Sequence, residues 1–491
     1  MASSETATRE LLSRLGGEQV SLDPDDRYGA SMDNLRYSRI PAARIRPADE
    51  DAVETVLKLA NRYRIPVTAR GAGSATTGAA SPSEHGWALD FAAWKNLHID
   101  PVARMAFVQP GVTLEELDQA AGRHGLSYPP DPGSKAHATV GGTIATNAGG
   151  MRGAKYGVTR DFVIALEGFM PDGSFVRWGA NLKKFSAGYN IRDLWIGSEG
   201  TLGIVTGAVL RLVPRPPFQS TCLAVFQNSA EALHCSRQIL LAGANPSALE
   251  FLDSQTTACT FSFWSRKAPD TLRQMPESLR RAARENDPVA ILLIEVDGDT
   301  HETENALRRI TRIIRHRAID LVTAIDQETT DLLWKIRKSC SQAMFELGPR
   351  KLNEDVVVPF EAQEELLAFL AQLAEDSGLP TPTFGHAADG NFHAHIMYDD
   401  TDPDQTREAR KAVEALMRKV VDLGGAISGE HGIGLAKSSF FHLQHSPAEI
   451  AVMKAIKKAL DPNGILNPGK IWESSSPWDF PRESVSLPWD H

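Results

Sequence analysis

Arg70-Gly71-Ala72-Gly73-Ser74-Ala75-Thr76-Thr77-Gly78 follows Ile65-Pro66-Val67-Thr68-Ala69-Arg70, an apolar run that reads as a strand. A glycine loop after a strand invites a nicotinamide-type dinucleotide fold. That fingerprint needs a third glycine at position 76 and a helix opening there. The chain has Thr76, and no apolar periodicity runs on through Ala80. What remains is a loop of small side chains whose backbone N–H groups can cradle an anion. Three further segments share its character: Tyr128 to Ser134, Thr139 to Gly150, and Gly197-Ser198-Glu199-Gly200-Thr201-Leu202-Gly203-Ile204-Val205. Each offers backbone donors and hydroxyls with little bulk. Thr139 to Gly150 in particular reads as backbone wrapped closely around a ligand.

At 491 residues the chain can bury a large core and is expected to divide into two or three domains. The hydrophobic share of 42% and charged share of 23% are those of a soluble globular protein. A net charge of −10, with no basic stripe interleaved with aromatics, argues against a nucleic-acid role. Cys222, Cys235, Cys259 and Cys340 show no close pairing. That argues against a cysteine-ligated cluster or a disulfide framework and favours reduced thiols. Met1 to Gly16 carries alternating charges without an apolar h-region, so it does not read as a secretory signal. No apolar run approaches the roughly 20 residues of a membrane span. The expected location is cytoplasmic, or peripheral at the inner face of a membrane through a partner.

Helical periodicity is expected over Asp49 to Tyr63, Leu114 to His124 and Thr303 to Ile314, and strands over Met105 to Val108, Asp161 to Phe175 with a turn at Pro171-Asp172-Gly173, Gly203 to Leu212 and Val289 to Ile294. Pro214-Arg215-Pro216-Pro217 is the clearest punctuation and marks the main domain boundary.

Beyond it lies Gly385-His386-Ala387-Ala388-Asp389-Gly390-Asn391-Phe392-His393, and later Ser428-Gly429-Glu430-His431-Gly432. His386, His393 and Glu430 make the two-His, one-carboxylate complement of an open catalytic metal site. His431 is then left to handle protons. The plain alternative is polar loop residues beside glycines.

The glycine loops, in this order, resemble the FAD-binding domain of the vanillyl-alcohol oxidase / p-cresol methylhydroxylase flavoproteins. With His386, Asn391, His393 and Glu430-His431 added, the chain is similar to the FAD-dependent D-2-hydroxy-acid dehydrogenase branch: D-lactate dehydrogenases, the glycolate oxidase flavin subunit and D-2-hydroxyglutarate dehydrogenase. The resemblance covers nearly the whole chain, Tyr37 to Trp472, including Leu466-Asn467-Pro468-Gly469-Lys470. The implied fold class is α+β: a two-part FAD-binding domain of the p-cresol methylhydroxylase type plus an α+β cap domain with an antiparallel sheet. The implied division is a leader over 1–40, the FAD-binding domain over 41–217, the substrate or cap domain over 218–425, a segment returning to the flavin over 426–473, and an extended tail over 474–491.

The resemblance implies FAD contacts at Arg70, Gly71, Ala72, Gly73, Ser74, Gly78, Pro130, Asp131, Ser134, Thr139, Gly141, Gly142, Thr146, Asn147, Gly149, Gly150, Glu199, Gly200, Gly203, Ile204 and Val205. Some relatives attach FAD through a His in the first loop; Ser74 stands there, which implies non-covalent FAD. His386, His393 and Glu430 would bind a divalent metal, zinc or manganese, that chelates the hydroxyl and one carboxylate oxygen of substrate. His431 would be the general base. Trp334-Lys335-Ile336-Arg337 resembles the family's Trp-x-x-Arg element, making Arg337 the carboxylate grip, with Ser341 one helical turn on and Asn391 a further polar contact. Two departures stand out. Ala388 replaces a glycine of the family's turn, which would add strain at a positive φ. Asn353 stands where the 2-hydroxyglutarate branch has a Lys for the distal carboxylate, which argues against a dicarboxylate.

The expected activity is oxidation of D-lactate or glycolate, with electrons passing to a quinone, cytochrome, electron-transfer flavoprotein or iron–sulfur partner subunit, in a possible homodimer. Rival readings are D-2-hydroxyglutarate dehydrogenase, the related FAD-bearing alkyl transferase, a structural flavin subunit, and a flavin-free metal hydrolase.

Overall fold

The computed structural model describes residues 2–267, 269–275, 277, 279, 280 and 289–473. The expected tail over 474–491 lies outside the described residues. The chain forms two units: residues 1–150, 157–215 and 430–491 make one, residues 151–156 and 216–429 the other.

In the first unit, α1 (Ala2–Leu15) and β1 (Val20–Ser21) lie within the segment read as a leader. Its charges mask a buried side: Ala7 and Leu11, four residues apart and thus on one helix face, are fully buried. After β2 (Ala43–Ile45), Asp49 caps α2 (Glu50–Tyr63) by accepting the Ala52 N–H at 2.9 Å. Val53, Val56, Leu57 and Ala60 of α2 supply the helical stripe that enters the core. β3 (Val67–Arg70) and β4 (Trp87–Asp90) complete a sheet of order β1-β2-β4-β3, with β4 parallel to both neighbours. Ile465 and Leu466, from the far end of the chain, close the same core.

A second, antiparallel sheet has the order β5-β6-β9-β7-β8, from β5 (Leu97–Asp100), β6 (Met105–Val108), β7 (Val163–Phe169), β8 (Phe175–Gly179) and β9 (Ile204–Arg211). The Asp161 to Phe175 stretch, read as strand with a turn at Pro171-Asp172-Gly173, enters a hairpin of β7 and β8 that turns there, with Gly173 at φ 88°. Between β6 and β7 lie α3 (Leu114–Gly122), with a Thr113–Glu116 capping box, and α4 (Val140–Thr146). α4 corrects the reading of Thr139 to Gly150 as loop throughout. Glycine and threonine are poor helix formers. Here Thr139 caps the Gly142 N–H and Asn147, at φ 52°, terminates the helix. Gly141 is needed because a Cβ there would come 2.6 Å from Pro110.

The second unit is built on a seven-stranded antiparallel sheet of order β13-β10-β12-β11-β15-β16-β14. Its strands are β10 (Phe218–Phe226), β11 (Ala248–Leu252), β12 (Ala290–Gly298), β13 (Asp320–Thr323), β14 (Arg350–Val357), β15 (Thr383–His386) and β16 (Asn391–Tyr398). Helices α5 (Ser229–Leu241), α6 (Ser254–Lys267), α7 (Thr300–Ile314), α8 (Gln327–Ala343), α9 (Gln363–Ser377) and α10 (Pro403–Asp422) join the strands. Leu252, Ile291, Leu293, Phe384 and Met397 on one sheet face pack with Leu333, Ile336 and Cys340 of α8. α5, α7 and α10 pack against the same sheet. All four cysteines are buried and unbridged. Among the described residues no helix is long and apolar enough to cross a membrane.

Candidate active site

In an antiparallel sheet, residues directly opposite share a face. Glu250 of β11 lies opposite His386 of β15, His386 opposite Asn391 of β16, and His393 of β16 opposite both Phe384 and Asp355 of β14. Glu250, His386, Asn391, His393 and Asp355 therefore occupy one face, beside the apolar cluster that receives α8. Glu250 and Asp355 were not among the residues singled out from sequence. The available signal for Glu250 was a single acid inside Ala248-Leu249-Glu250-Phe251-Leu252.

Glu250 is fully buried and shared. Its Oε1 lies 2.6 Å from His386 Nδ1, and its Oε2 accepts the Arg337 Nε–H at 2.5 Å. Burial alone would raise this carboxyl, but the charges of His386 and Arg337 and their hydrogen bonds outweigh it, so it is held below the ordinary carboxylate range. An ionised carboxylate only accepts, which places a proton on Nδ1, so that loss of the ring's other proton would leave the lone pair on Nε2. Metal-binding imidazoles are commonly oriented in this way. The His386 and His393 rings stand 5.4 Å apart at 89°. The Ala388 substitution adds no left-handed strain: within this turn the positive φ, 79°, falls on Gly390.

Arg337 rises from α8 with its side chain 11% exposed and its guanidinium carbon 4.2 Å from the centre of the Phe384 ring. Its two terminal nitrogens have no hydrogen-bond partner among the described residues. Ser341 is exposed, and its hydroxyl accepts from Lys351 Nζ at 2.6 Å. Asn391 gives its amide hydrogens to Asp355 Oδ1 at 2.6 Å and Val356 O at 2.9 Å, so that amide group positions its neighbours. The other Asp355 oxygen accepts from the Ser428 hydroxyl at 3.0 Å and the Gly429 N–H at 2.9 Å. A Cβ at Gly429 would come 2.2 Å from Asn391 Nδ2. Asp355 and Asn391 thus fix the residue bonded directly to Glu430.

In the first unit, Glu430 lies against the third glycine loop: a Cβ on Gly149 would come 2.7 Å from Glu430 Oε2. His431 Nε2 is 3.9 Å from Glu430 Oε1, with its side chain 21% exposed. The loops expected to hold a cofactor are shaped by their own contacts. Arg70 is buried and donates to Met32 O at 2.7 Å, its guanidinium filling the space beside Gly73. A Cβ on Gly71 would collide with the Thr139 hydroxyl, and one on Gly150 with the Asp131 carbonyl. Gly203 makes room for the Trp195 ring, and Ile204 is core. Asn147 Oδ1 accepts the Arg160 N–H at 2.9 Å, and Thr146 donates its hydroxyl to Gly142 O at 3.2 Å. The Glu199 carboxylate accepts the N–H groups of Ile433 and Gly434. The Thr76 hydroxyl is buried without a hydrogen bond among the described residues. A buried hydroxyl in a glycine-bounded loop fits a polar ligand there.

Residues 41–179 match the family described as FAD binding domain, and residues 215–471 match FAD linked oxidases, C-terminal domain. The chain belongs to the FAD-linked oxidases. This FAD-linked oxidase is 36% identical over 439 residues to the glycolate oxidase subunit GlcD of Bacillus subtilis, covering 89% of this chain and 90% of that one. It is 35% identical over 434 residues to a D-lactate dehydrogenase of Archaeoglobus fulgidus, covering 87% and 90%. Among solved structures it resembles p-cresol methylhydroxylase with a TM-score of 0.77 at 17% identity, over 96% of this chain and 97% of that one. Alkyldihydroxyacetonephosphate synthase gives 0.74 at 19% identity, over 94% and 84%. At those identities the likeness speaks for the fold alone, the expected α+β flavoprotein architecture.

Proposed function

We propose that this enzyme oxidises a D-2-hydroxy acid, D-lactate or glycolate, to the 2-oxo acid. The observation that carries the reading is the buried Glu250 carboxylate, which fixes an imidazole of metal-ligand type and a guanidinium of carboxylate-binding type on one sheet face. The names of the relatives, a glycolate oxidase subunit and a D-lactate dehydrogenase, support the same substrate class.

FAD, held non-covalently by the four glycine loops with the Thr76 hydroxyl toward it, would supply the hydride acceptor. His386, His393 and Glu430 are the residues suited to hold a divalent cation, zinc or manganese, whose Lewis acidity would favour loss of the hydroxyl proton. Arg337 binds the substrate carboxylate through its terminal nitrogens, Phe384 holding the guanidinium plane. His431 takes the hydroxyl proton as general base. Asp355 and Asn391 fix Ser428-Gly429, the residues that lead into Glu430 and His431. The electrons leave to a quinone, cytochrome, electron-transfer flavoprotein or iron–sulfur partner subunit.

The test is a screen of D- and L-2-hydroxy acids with an artificial dye acceptor, before and after chelation. Turnover of D-lactate or glycolate that chelation abolishes and added zinc or manganese restores is expected. Full activity after complete metal removal would remove the cation from the proposal, and no turnover of any 2-hydroxy acid would overturn it.

A further inference from the structure

Glu199 sits in the fourth glycine loop at φ 53°, a left-handed conformation unusual for a side chain with a Cβ. Its backbone is pinned on both sides: its N–H donates to Ala145 O at 2.7 Å, and its carbonyl accepts from the Asn467 amide at 2.7 Å. The buried carboxylate is thereby aimed at the turn after His431. Oε1 accepts the Ile433 N–H at 2.7 Å, and Oε2 the Gly434 N–H at 2.9 Å. The fit leaves no slack. A Cβ on Gly432 would come 2.7 Å from Glu199 Oε1, and one on Gly434 would come 2.2 Å from Thr77 O. Thr77 holds the two ends of the turn: its hydroxyl donates to His431 O at 3.3 Å, and its carbonyl accepts the N–H groups of Leu435 and Ala436 at 2.7 and 3.0 Å.

We propose that Glu199 is a positioning residue for the reaction: acting through the 432–434 backbone, it sets where the His431 imidazole stands. Resting on the assignment of His431 as base, the proposal moves Glu199 from the flavin contacts to the proton-transfer machinery. Both oxygens of this side chain already accept backbone N–H groups of the turn, which leaves them committed there and not to a bound pyrophosphate.

The experiment uses the FAD-loaded protein and two variants. Glu199→Gln keeps the side-chain length but turns an NH2 donor toward backbone donors. Gly432→Ala leaves residue 199 intact and drives a methyl group into its carboxylate. Hydrogen exchange of the peptide covering 430–436 should speed up by about tenfold in both. Single-turnover flavin reduction should slow on the order of tenfold to a hundredfold, with bound FAD and KM little changed. Unchanged exchange across 432–436 overturns the proposal whatever the substrate proves to be. So does loss of FAD from Glu199→Gln with the parental reduction rate per remaining flavin. If no hydroxy acid reduces the parent flavin, the functional reading fails, and the exchange measurement still decides whether Glu199 holds the turn.

Discussion

Glu250 Oε1 lies 2.6 Å from His386 Nδ1, although the two residues stand 136 positions apart in the chain. One buried acid on β11 therefore orients an imidazole on β15, and its second oxygen does the same for Arg337 on α8. Losing such an outer partner typically costs about 10–100-fold in metal affinity or activity. Glu250→Gln should lower kcat/KM and metal content together by about that factor, while FAD stays bound. Metal analysis and steady-state rates on the purified variant check this.

The shared carboxylate complicates any test of Arg337. Arg337→Ala removes the substrate grip, a charge-assisted interaction of about 1.5–3 kcal/mol, hence roughly a tenfold to hundredfold loss in kcat/KM. It also leaves Glu250 with one cation fewer in a buried site, so stability should fall as well. Arg337→Lys separates the effects. A charge near Glu250 remains while the planar fork is lost. Its melting temperature should stay closer to the parent's than that of the Ala variant, with KM still raised. Equal kcat/KM in the parent and both variants would leave Arg337 a structural residue.

Base and ligands should part company in metal analysis. His386→Ala and His393→Ala should lose metal and activity together. His431→Ala should keep metal and FAD yet lose about 10²–10⁴ in flavin reduction rate, the span of a lost general base. A His431 variant stripped of metal beside a His386 variant that retains it would reverse the roles.

Asp253 provides a pH test away from the site. Burial raises its carboxyl from 3.8 to about 6, against hydrogen bonds from Thr256 and the Thr383 amide. Between those values the folded chain holds a proton that the unfolded chain has released. Its contribution is therefore fully present below the ordinary carboxyl range and lost as pH rises through about 6. The loss approaches on the order of 3 kcal/mol. Asp253→Asn cannot titrate, so its stability relative to the parent should rise between about pH 4 and about pH 7. Parallel melting curves across that window would exclude the effect.

The parts of the molecule legible in sequence were those whose chemistry is local. The first glycine loop declared itself through Thr76 where a glycine was required, and α2 through its apolar spacing. Helix α4 was hidden because its residues have low helix propensity; it exists through a Thr139 cap, an Asn147 stop and the approach of Pro110 to Gly141. Glu250 was hidden because an acid in an apolar strand has no meaning until β11 and β15 pair. Asn391 was visible, but its role was not: the Asp355 that takes its amide hydrogen lies on another strand. The spacing of Arg337 and Ser341 was read correctly as one helix face, yet Ser341 is claimed by Lys351.

Anaerobic mixing of the FAD-loaded protein with D-lactate, glycolate and L-lactate, following the oxidised flavin absorbance in a single turnover, shows whether a D-2-hydroxy acid delivers its hydride to the flavin. Bleaching by D-lactate or glycolate, little by L-lactate, and suppression by prior chelation are expected. Flavin that stays oxidised with every 2-hydroxy acid, while a chemical reductant bleaches it normally, would rule out 2-hydroxy acids as the hydride donors.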